Sequence, residues 1–329
     1  MHAQSYLLPP TSYLPPPFDF ARPPKHPVDV LRPYAFLAEA EATAAGRVEQ
    51  IATVFLTNRE CPFHCVYCDL WRNTTDERVP VGAIPAQIDY ALQRLPPARH
   101  IKLYNSGNFL DPQAIPPEDH EAIARRVRGF STVIVENHPR LCGESCPRFA
   151  EMVETELEVA LGLETVDAPT LARLNKQMTV ADFDRAVEYL LRHNIAVRAF
   201  ILLRPPGQSE EQGLYWALRS IEHARSRGVR CCTVIPVRGG NGVMEQLAAA
   251  GQFSPPRLSS LEQALEQGLS IASASNHTNG RRFRVFVDLW DLARFSNCPH
   301  CLSRRTSRLH AMNISQTVLP PVECPCGVA

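Results

Sequence analysis

The sequence predicts an α/β fold built around a parallel sheet, on two observations. From residue 51 onward, short β-branched runs alternate with longer amphipathic stretches six times over, and each parallel crossover needs a helix of its own. The residues with evident chemistry fall at the ends of those runs or just beyond them, as expected where strand-to-helix loops share one catalytic face. Right-handed connection of such units gives either an open doubly wound sheet or a full or partial barrel, and periodicity alone does not choose between them.

In chain order, Pro9, Pro10, Pro15, Pro16, Pro17, Pro23, Pro24, Pro27 and Pro33 forbid regular helix or central strand and make an extended arm. Tyr13, Phe18 and Phe20 favour docking of that arm on the body. Residues 34–46 read as a short helix. Strand-like runs follow at 51–56, 100–104, 131–136, 156–162, 195–203 and 229–235, with helical stretches near 84–95, 117–128, 143–153, 180–193 and 209–227. A helix at 257–275 and a strand-like run at 283–288 precede a tail that looks irregular. The expected divisions are 1–48 for the arm and short helix, 49–240 for the core and 241–329 for an extension.

At 329 residues, 45% hydrophobic and 21% charged, the composition is that of an ordinary globular chain. Lys+Arg and Asp+Glu are equal at 34 each, so no basic surplus advertises nucleic acid, although a local patch can hide in a neutral total. No apolar run approaches the roughly 18 residues needed to span a bilayer, so no membrane partner is expected. The chain opens without a secretory leader. Its eleven cysteines are therefore expected to hold metal in a reducing cytoplasm rather than form disulfides.

Cys61, Cys65 and Cys68 are separated by three and then two residues on the loop that leaves the first strand-like run. Three thiolates so placed can hold three corners of a cubane iron–sulfur cluster and leave the fourth iron open. The competing readings are a zinc knuckle short of a ligand and three unrelated buried thiols; a structural zinc site normally closes with four ligands. With Tyr67 just before the last cysteine, the triplet resembles the signature of radical S-adenosylmethionine (SAM) enzymes. The resemblance implies a partial (β/α)6 barrel, a [4Fe-4S] cluster on the three cysteines, SAM on the open iron, and reductive cleavage to a 5′-deoxyadenosyl radical that abstracts hydrogen from a second substrate. It further implies a one-electron reductant of the flavodoxin or ferredoxin kind.

Further marks lie on the same face. The small, polar loop Asn105, Ser106, Gly107 and Asn108 brings backbone close to a ligand; it stands where the family usually carries a Gly-Gly-Glu loop. Glu136, followed by Asn137, His138 and Pro139, resembles a Glu-x-x-Pro segment of the branch that contains the Elongator catalytic subunit, the methylthiotransferases and oxygen-independent coproporphyrinogen oxidase. Glu164 stands at that branch's Gly-Val-Gln-Ser glutamine, and Lys176 at the arginine of its Leu-Asn-Arg. The resemblance implies that both contact SAM, with lysine keeping the charge but not the bidentate fork. Arg204, Pro205, Pro206 and Gly207 resemble a Gly-Leu-Pro-Gly turn, with Arg204 expected against SAM or the second substrate. No residue is assigned to the chemical step itself.

The runs around Cys61, Cys68 and Tyr104–Phe109 are also similar to a narrower group, the radical SAM partner of archaeosine synthase. That resemblance implies a modified tRNA nucleoside as substrate, with tRNA or a tRNA-modification protein as partner. A small metabolite or peptide substrate stays open, as does a non-catalytic zinc-binding module.

Near the C-terminus, Cys298, Cys301, Cys324 and Cys326 form two knuckle-like pairs, ligands for a closed zinc site or a second iron–sulfur cluster. Cys142 and Cys146 follow the third strand and read as loop residues, and Cys231 and Cys232 as packing in the sixth.

Overall fold

Runs rich in Val, Ile and Leu that bury both faces form the strands of the computed structural model, which describes residues 22–274 and 282–324. In chain order they are β1 (Ala35–Ala42), β2 (Val48–Leu56), β3 (His100–Asn105), β4 (Thr132–Asn137), β5 (Glu156–Glu164), β6 (Ala196–Leu203), β7 (Cys231–Pro236) and β8 (Arg284–Val287). They join one sheet in sequence order; β1 runs antiparallel to β2 and every later neighbour is parallel. The helices between them are α1 (Ala83–Leu92), α2 (His120–Val127), α3 (Ser145–Val153), α4 (Ala168–Arg173), α5 (Val180–Arg192), α6 (Glu210–Ser226), α7 (Val243–Ala249) and α8 (Leu258–Ser273), with α9 (Pro299–Ser315) last. Thr179 with Asp182 and Ser209 with Gln212 form capping boxes that start α5 and α6. The partial barrel expected from the resemblance is present, and β1 and β8 widen it beyond six strands.

Two expectations change. Residues 34–46 were expected to be helical, yet Ala35–Ala42 is a strand that pairs with β2 from Ala35↔Phe55 to Ala42↔Val48. Alanine and glutamate favour helix, but Glu39 and Glu41, two apart, both reach cations on other strands, and strand alternation allows that. The tail expected to be irregular contains α9, whose Arg305 and Arg308 are buried against Glu262 and Glu266 of α8. The arm's residues 1–21 and Cys326 lie outside the described residues. From Arg22 onward the arm is docked: Lys25 Nζ lies 2.8 Å from Glu60 and 2.6 Å from Asp76, and the Arg22 guanidinium lies over Trp71.

Side chains alternate between two environments. Ile101, Leu103, Val159, Leu161, Val197 and Ala199 pack outward against helices around Phe109, Phe149 and Phe183. The intervening residues meet inside the sheet's curve. At its lower end Lys102 Nζ lies 2.6 Å from Glu41 and 2.8 Å from Glu39, while Arg198 lies 2.8 Å from Glu41 and 2.6 Å from Glu158. Arg284 joins at 3.9–4.0 Å from Glu41 and Glu158. Above this charged floor Tyr104 meets Phe55 and Phe200 edge-on, centroids 6.1 and 6.0 Å apart.

The seam of the open barrel is covered by α9, which touches both β1 and β8. Asn313 accepts from the Val287 N–H (3.0 Å) and donates to its carbonyl (2.9 Å). Gln316 does the same for Val285, at 2.9 Å each way. Two side-chain amides thus take the place of a neighbouring strand at an edge that would otherwise be open.

Candidate active site

β2 passes the chain to a loop carrying Cys61, Cys65 and Cys68, followed by a short 3₁₀ turn at Leu70–Asn73. Its shape comes from its neighbours. Asn241, beyond β7, donates to the carbonyls of Val66 (2.7 Å) and Cys68 (3.1 Å). Asn175 donates to the His64 carbonyl (2.9 Å), and the Val66 N–H to that of Leu174 (3.0 Å). Val66 and Tyr67 rest on Leu174, Leu202, Val237 and Met244. Phe63 stacks on His138 with centroids 3.8 Å apart.

Burial pushes the thiols up, to about 11 for Cys61 and about 12 for Cys65 and Cys68, with the nearby Lys176 charge pulling the other way. Buried in this way, the three thiols hold their protons at neutral pH until something else stabilises the thiolate.

After β3, Gly107 has a φ of +151°, and a Cβ on it would stand 3.2 Å from Cys61 Cβ, so this loop lies flat against the first cysteine. Asn108 contacts Cys61 Sγ through Nδ2 (3.5 Å) and accepts from the His138 N–H (2.7 Å). Ser106 is buried beside them. Asn105 is 1% exposed, and neither atom of its amide has a partner among the described residues. A buried amide of this kind needs a partner from outside the described residues, an ordered water or a ligand.

Glu136 closes β4, where its carboxylate accepts from the Asn105 N–H (3.3 Å); burial raises its carboxyl to about 8. Glu164 and Lys176 meet at 2.6 Å, both almost sealed from solvent. Burial opposes the Lys176 ammonium, but the Glu164 charge outweighs it and holds the proton more firmly than usual. The Tyr67 phenol, against Glu164, Cys65 and Cys68, is pushed up by burial. A methyl on Gly162 would fall 2.0 Å from Glu164 Oε1 and 2.4 Å from Lys176 Nζ, so only glycine leaves room for the pair. Glu164, Asn175 and Gln177 all hold positive φ, the strain that gathers at ligand sites.

Tyr67, Asn105, Ser106, Gly107, Asn108, Glu136, Glu164 and Lys176 thus share one end of the barrel with the cysteine triplet. Arg204 takes another course: it bonds Glu210 (2.5 Å) and the Pro255 carbonyl (2.8 Å). Two positioning residues escaped the sequence reading. His138 donates from Nε2 to the Lys176 carbonyl (2.9 Å) while Nδ1 accepts from the Arg140 N–H, and burial drops it to about 3, so it stays neutral. Asn241 lies in Gly239-Gly240-Asn241-Gly242 after β7, and that glycine-rich run was its only signal. Cys146, Cys231 and Cys232 are core residues.

Residues 55–214 match the Radical SAM superfamily. The chain is 23% identical to an uncharacterised protein of Methanocaldococcus jannaschii over 231 residues, 65% of this chain and 63% of that one. It is 26% identical to the archaeosine synthase subunit beta of Methanosarcina acetivorans over 276 residues, 80% and 77% of the two chains. Among solved structures, Elp3 of Methanocaldococcus infernus, lacking its N-terminus, superposes with a TM-score of 0.51 at 14% identity, covering 80% of this chain and 63% of that one. The chain therefore spans less than two thirds of the Methanocaldococcus jannaschii protein. Across 55–214, from the end of β2 into α6, the sequence thus matches a radical SAM domain.

Proposed function

We propose that the chain cleaves SAM reductively and directs the product radical at a hydrogen of a modified tRNA nucleoside. The observation that carries the first half is the cysteine loop itself: three thiols on the one loop that leaves β2, beside a buried amide without a partner among the described residues. Cys61, Cys65 and Cys68 would hold a [4Fe-4S] cluster, which when bound would pass on the electron that reductive cleavage of SAM needs. The protein's own part is positioning and exclusion of water. Asn105 would offer a donor and an acceptor to SAM, Glu136 and Glu164 acceptors for its ammonium and ribose, and Lys176, paired with Glu164, a cation for its carboxylate. Tyr67 holds Glu164 against the loop, and His138 fixes both Phe63 and the Lys176 backbone. A flavodoxin- or ferredoxin-like protein is the proposed electron donor, in the reducing cytoplasm that free thiols require.

The tRNA half rests on the similarity to archaeosine synthase subunit beta across 80% of this chain. A tRNA-modification protein is the matching partner. Neutral overall charge suits delivery of RNA by such a partner.

The test is anaerobic reconstitution with iron and sulfide, addition of SAM and dithionite, and quantification of 5′-deoxyadenosine beside a Cys65→Ala control. Cysteine-dependent product is expected; none from well-loaded protein would remove the radical reading. Electrophoretic binding to total tRNA over a range of salt tests the substrate class separately. Absence of binding at every salt, with or without a partner protein, would point instead to a small metabolite or peptide.

A further inference from the structure

We infer that the cavity outside β6, β7 and β8 binds a phosphodiester of the RNA strand that presents its nucleoside at the cysteine loop, with Trp290 stacking on a neighbouring base. It presupposes the tRNA substrate proposed above and adds the surface that carries the strand. The cavity, about 370 Å³, is lined by Arg204, Glu210, Ser254, Arg257, Arg294 and Asn297 among others. Arg204 follows β6, Ser254 and Arg257 lie between α7 and α8, and Arg294 and Asn297 lie between β8 and α9. These loops leave the carboxyl ends of parallel strands, at the same end of the barrel as the cysteine loop.

A guanidinium carries five donors, and those lining the cavity are only partly engaged. Arg204 places Nε on the Gln208 carbonyl (3.5 Å) and Nη1 on Glu210 and the Pro255 carbonyl. Arg294 pairs through Nε with Asp291 (2.5 Å) and donates from Nη1 to the Gly239 carbonyl (3.0 Å). Nη2 of each makes no hydrogen bond among the described residues. Arg257 gives its backbone N–H to Glu210 (2.8 Å), while among the described residues its guanidinium makes neither a hydrogen bond nor an ion pair. Three cations thus meet two carboxylates, Glu210 and Asp291, and the surplus charge is that of Arg257. One phosphodiester, with a single negative charge, balances it and accepts the open fork donors, whereas a phosphate monoester brings nearly two charges. The match favours a nucleic-acid backbone over a small phosphate.

On the loop that carries Arg294 and Asn297, Trp290 is 71% exposed, the most open large apolar side chain among the described residues. Its backbone is fixed, the N–H donating to Asp288 (3.0 Å) and the carbonyl accepting from Arg238 (3.2 Å). An indole held out in this way is a stacking platform for any base. Arg294, four residues on, bonds the first residue of the run 239–242, whose Asn241 holds the Val66 and Cys68 carbonyls. Cavity and cysteine loop therefore share one brace.

The experiment titrates the full chain into labelled unfractionated tRNA and a labelled short oligouridylate, followed by fluorescence anisotropy from low to high salt. Arg257→Ser should reduce the slope of log Kd on log salt by about one for both RNAs. Trp290→Ala should instead weaken binding about tenfold and leave the slope unchanged. In both variants the thermal midpoint and the 5′-deoxyadenosine formed without RNA should match the unaltered chain, because neither residue faces the cysteine loop. Calorimetry with inorganic phosphate separates the two sources of the anion: saturable binding lost in Arg257→Ser, with RNA binding unaltered, would make this a small-phosphate site and overturn the inference. Identical tRNA binding by all three chains would also overturn it while leaving the tRNA reading in place, the strand then lying elsewhere. No tRNA binding by the unaltered chain would overturn it as well, and the tRNA reading would then fall only if a partner protein did not restore binding.

Discussion

Lys176 and Glu164 share a space sealed from water, and each is tolerable there because of the other. Replacing Lys176 with Met strands a carboxylate and is expected to cost about 3–5 kcal/mol in urea unfolding, while the Lys176→Met, Glu164→Gln double variant should recover most of that loss. Both should lose SAM affinity, which separates the ligand role from the folding role. Glu136 gives a pH signature instead. Its carboxyl titrates near 4.5 ordinarily and near 8 in the fold. Between those values the native chain keeps a proton that the unfolded chain releases, so stability should fall as pH rises through that window, and Glu136→Gln should flatten the slope. Calorimetric scans without SAM would show it; an unchanged slope would place the titration elsewhere. The cysteines and acids were readable because residue type announces chemistry. His138 and Asn241 were not, because they act by bonding backbone carbonyls, and that requires knowing which loop lies beside which.

The strand-like runs at 51–56 and 195–203 survive as β2 and β6 because buried parallel strands leave continuous apolar sequence. The errors fell where local preference met a distant partner. Ala35–Ala42 looks helical until Glu39 and Glu41 are seen to pair with Lys102 and Arg198, strands away. The polar α9 looks like surface until its arginines meet α8. This last helix also makes a specific prediction. Asn313→Ala or Gln316→Ala leaves an N–H and a carbonyl of β8 unpaired and should cost about 1–3 kcal/mol each in denaturant unfolding. A loss within a few tenths would mean that water serves that edge equally well.

Across the molecule, three cations and three carboxylates from β1, β3, β5, β6 and β8 converge on the barrel's lower end. Burial works against the Glu41 carboxylate, yet Arg198, Lys102 and Arg284 together hold its pKa far below the ordinary 4.5. A depressed carboxyl contributes stability above its unfolded value and loses it as pH falls, so acid unfolding should begin below about pH 4.5. Glu41→Gln should cost about 3–5 kcal/mol at neutral pH and blunt that acid dependence, as followed by circular dichroism. None of this network was legible in sequence, where Lys102, Glu158 and Arg198 appear as isolated charges in apolar runs. The ordering of the βα units was legible, because each is a local event.

That charged floor makes the barrel a vessel with one mouth. Cationic and carboxylate groups clasped at 2.6–2.8 Å, with an aromatic layer above them, fill the lower end of the barrel. On the proposed chemistry, a short-lived radical formed at the cysteine loop would have its quenchers and its target on the same side. On that reading, whatever docks over the loops after β2 to β8 would serve at once as stopper and as reactant, and a mouth left uncovered would show as uncoupled turnover.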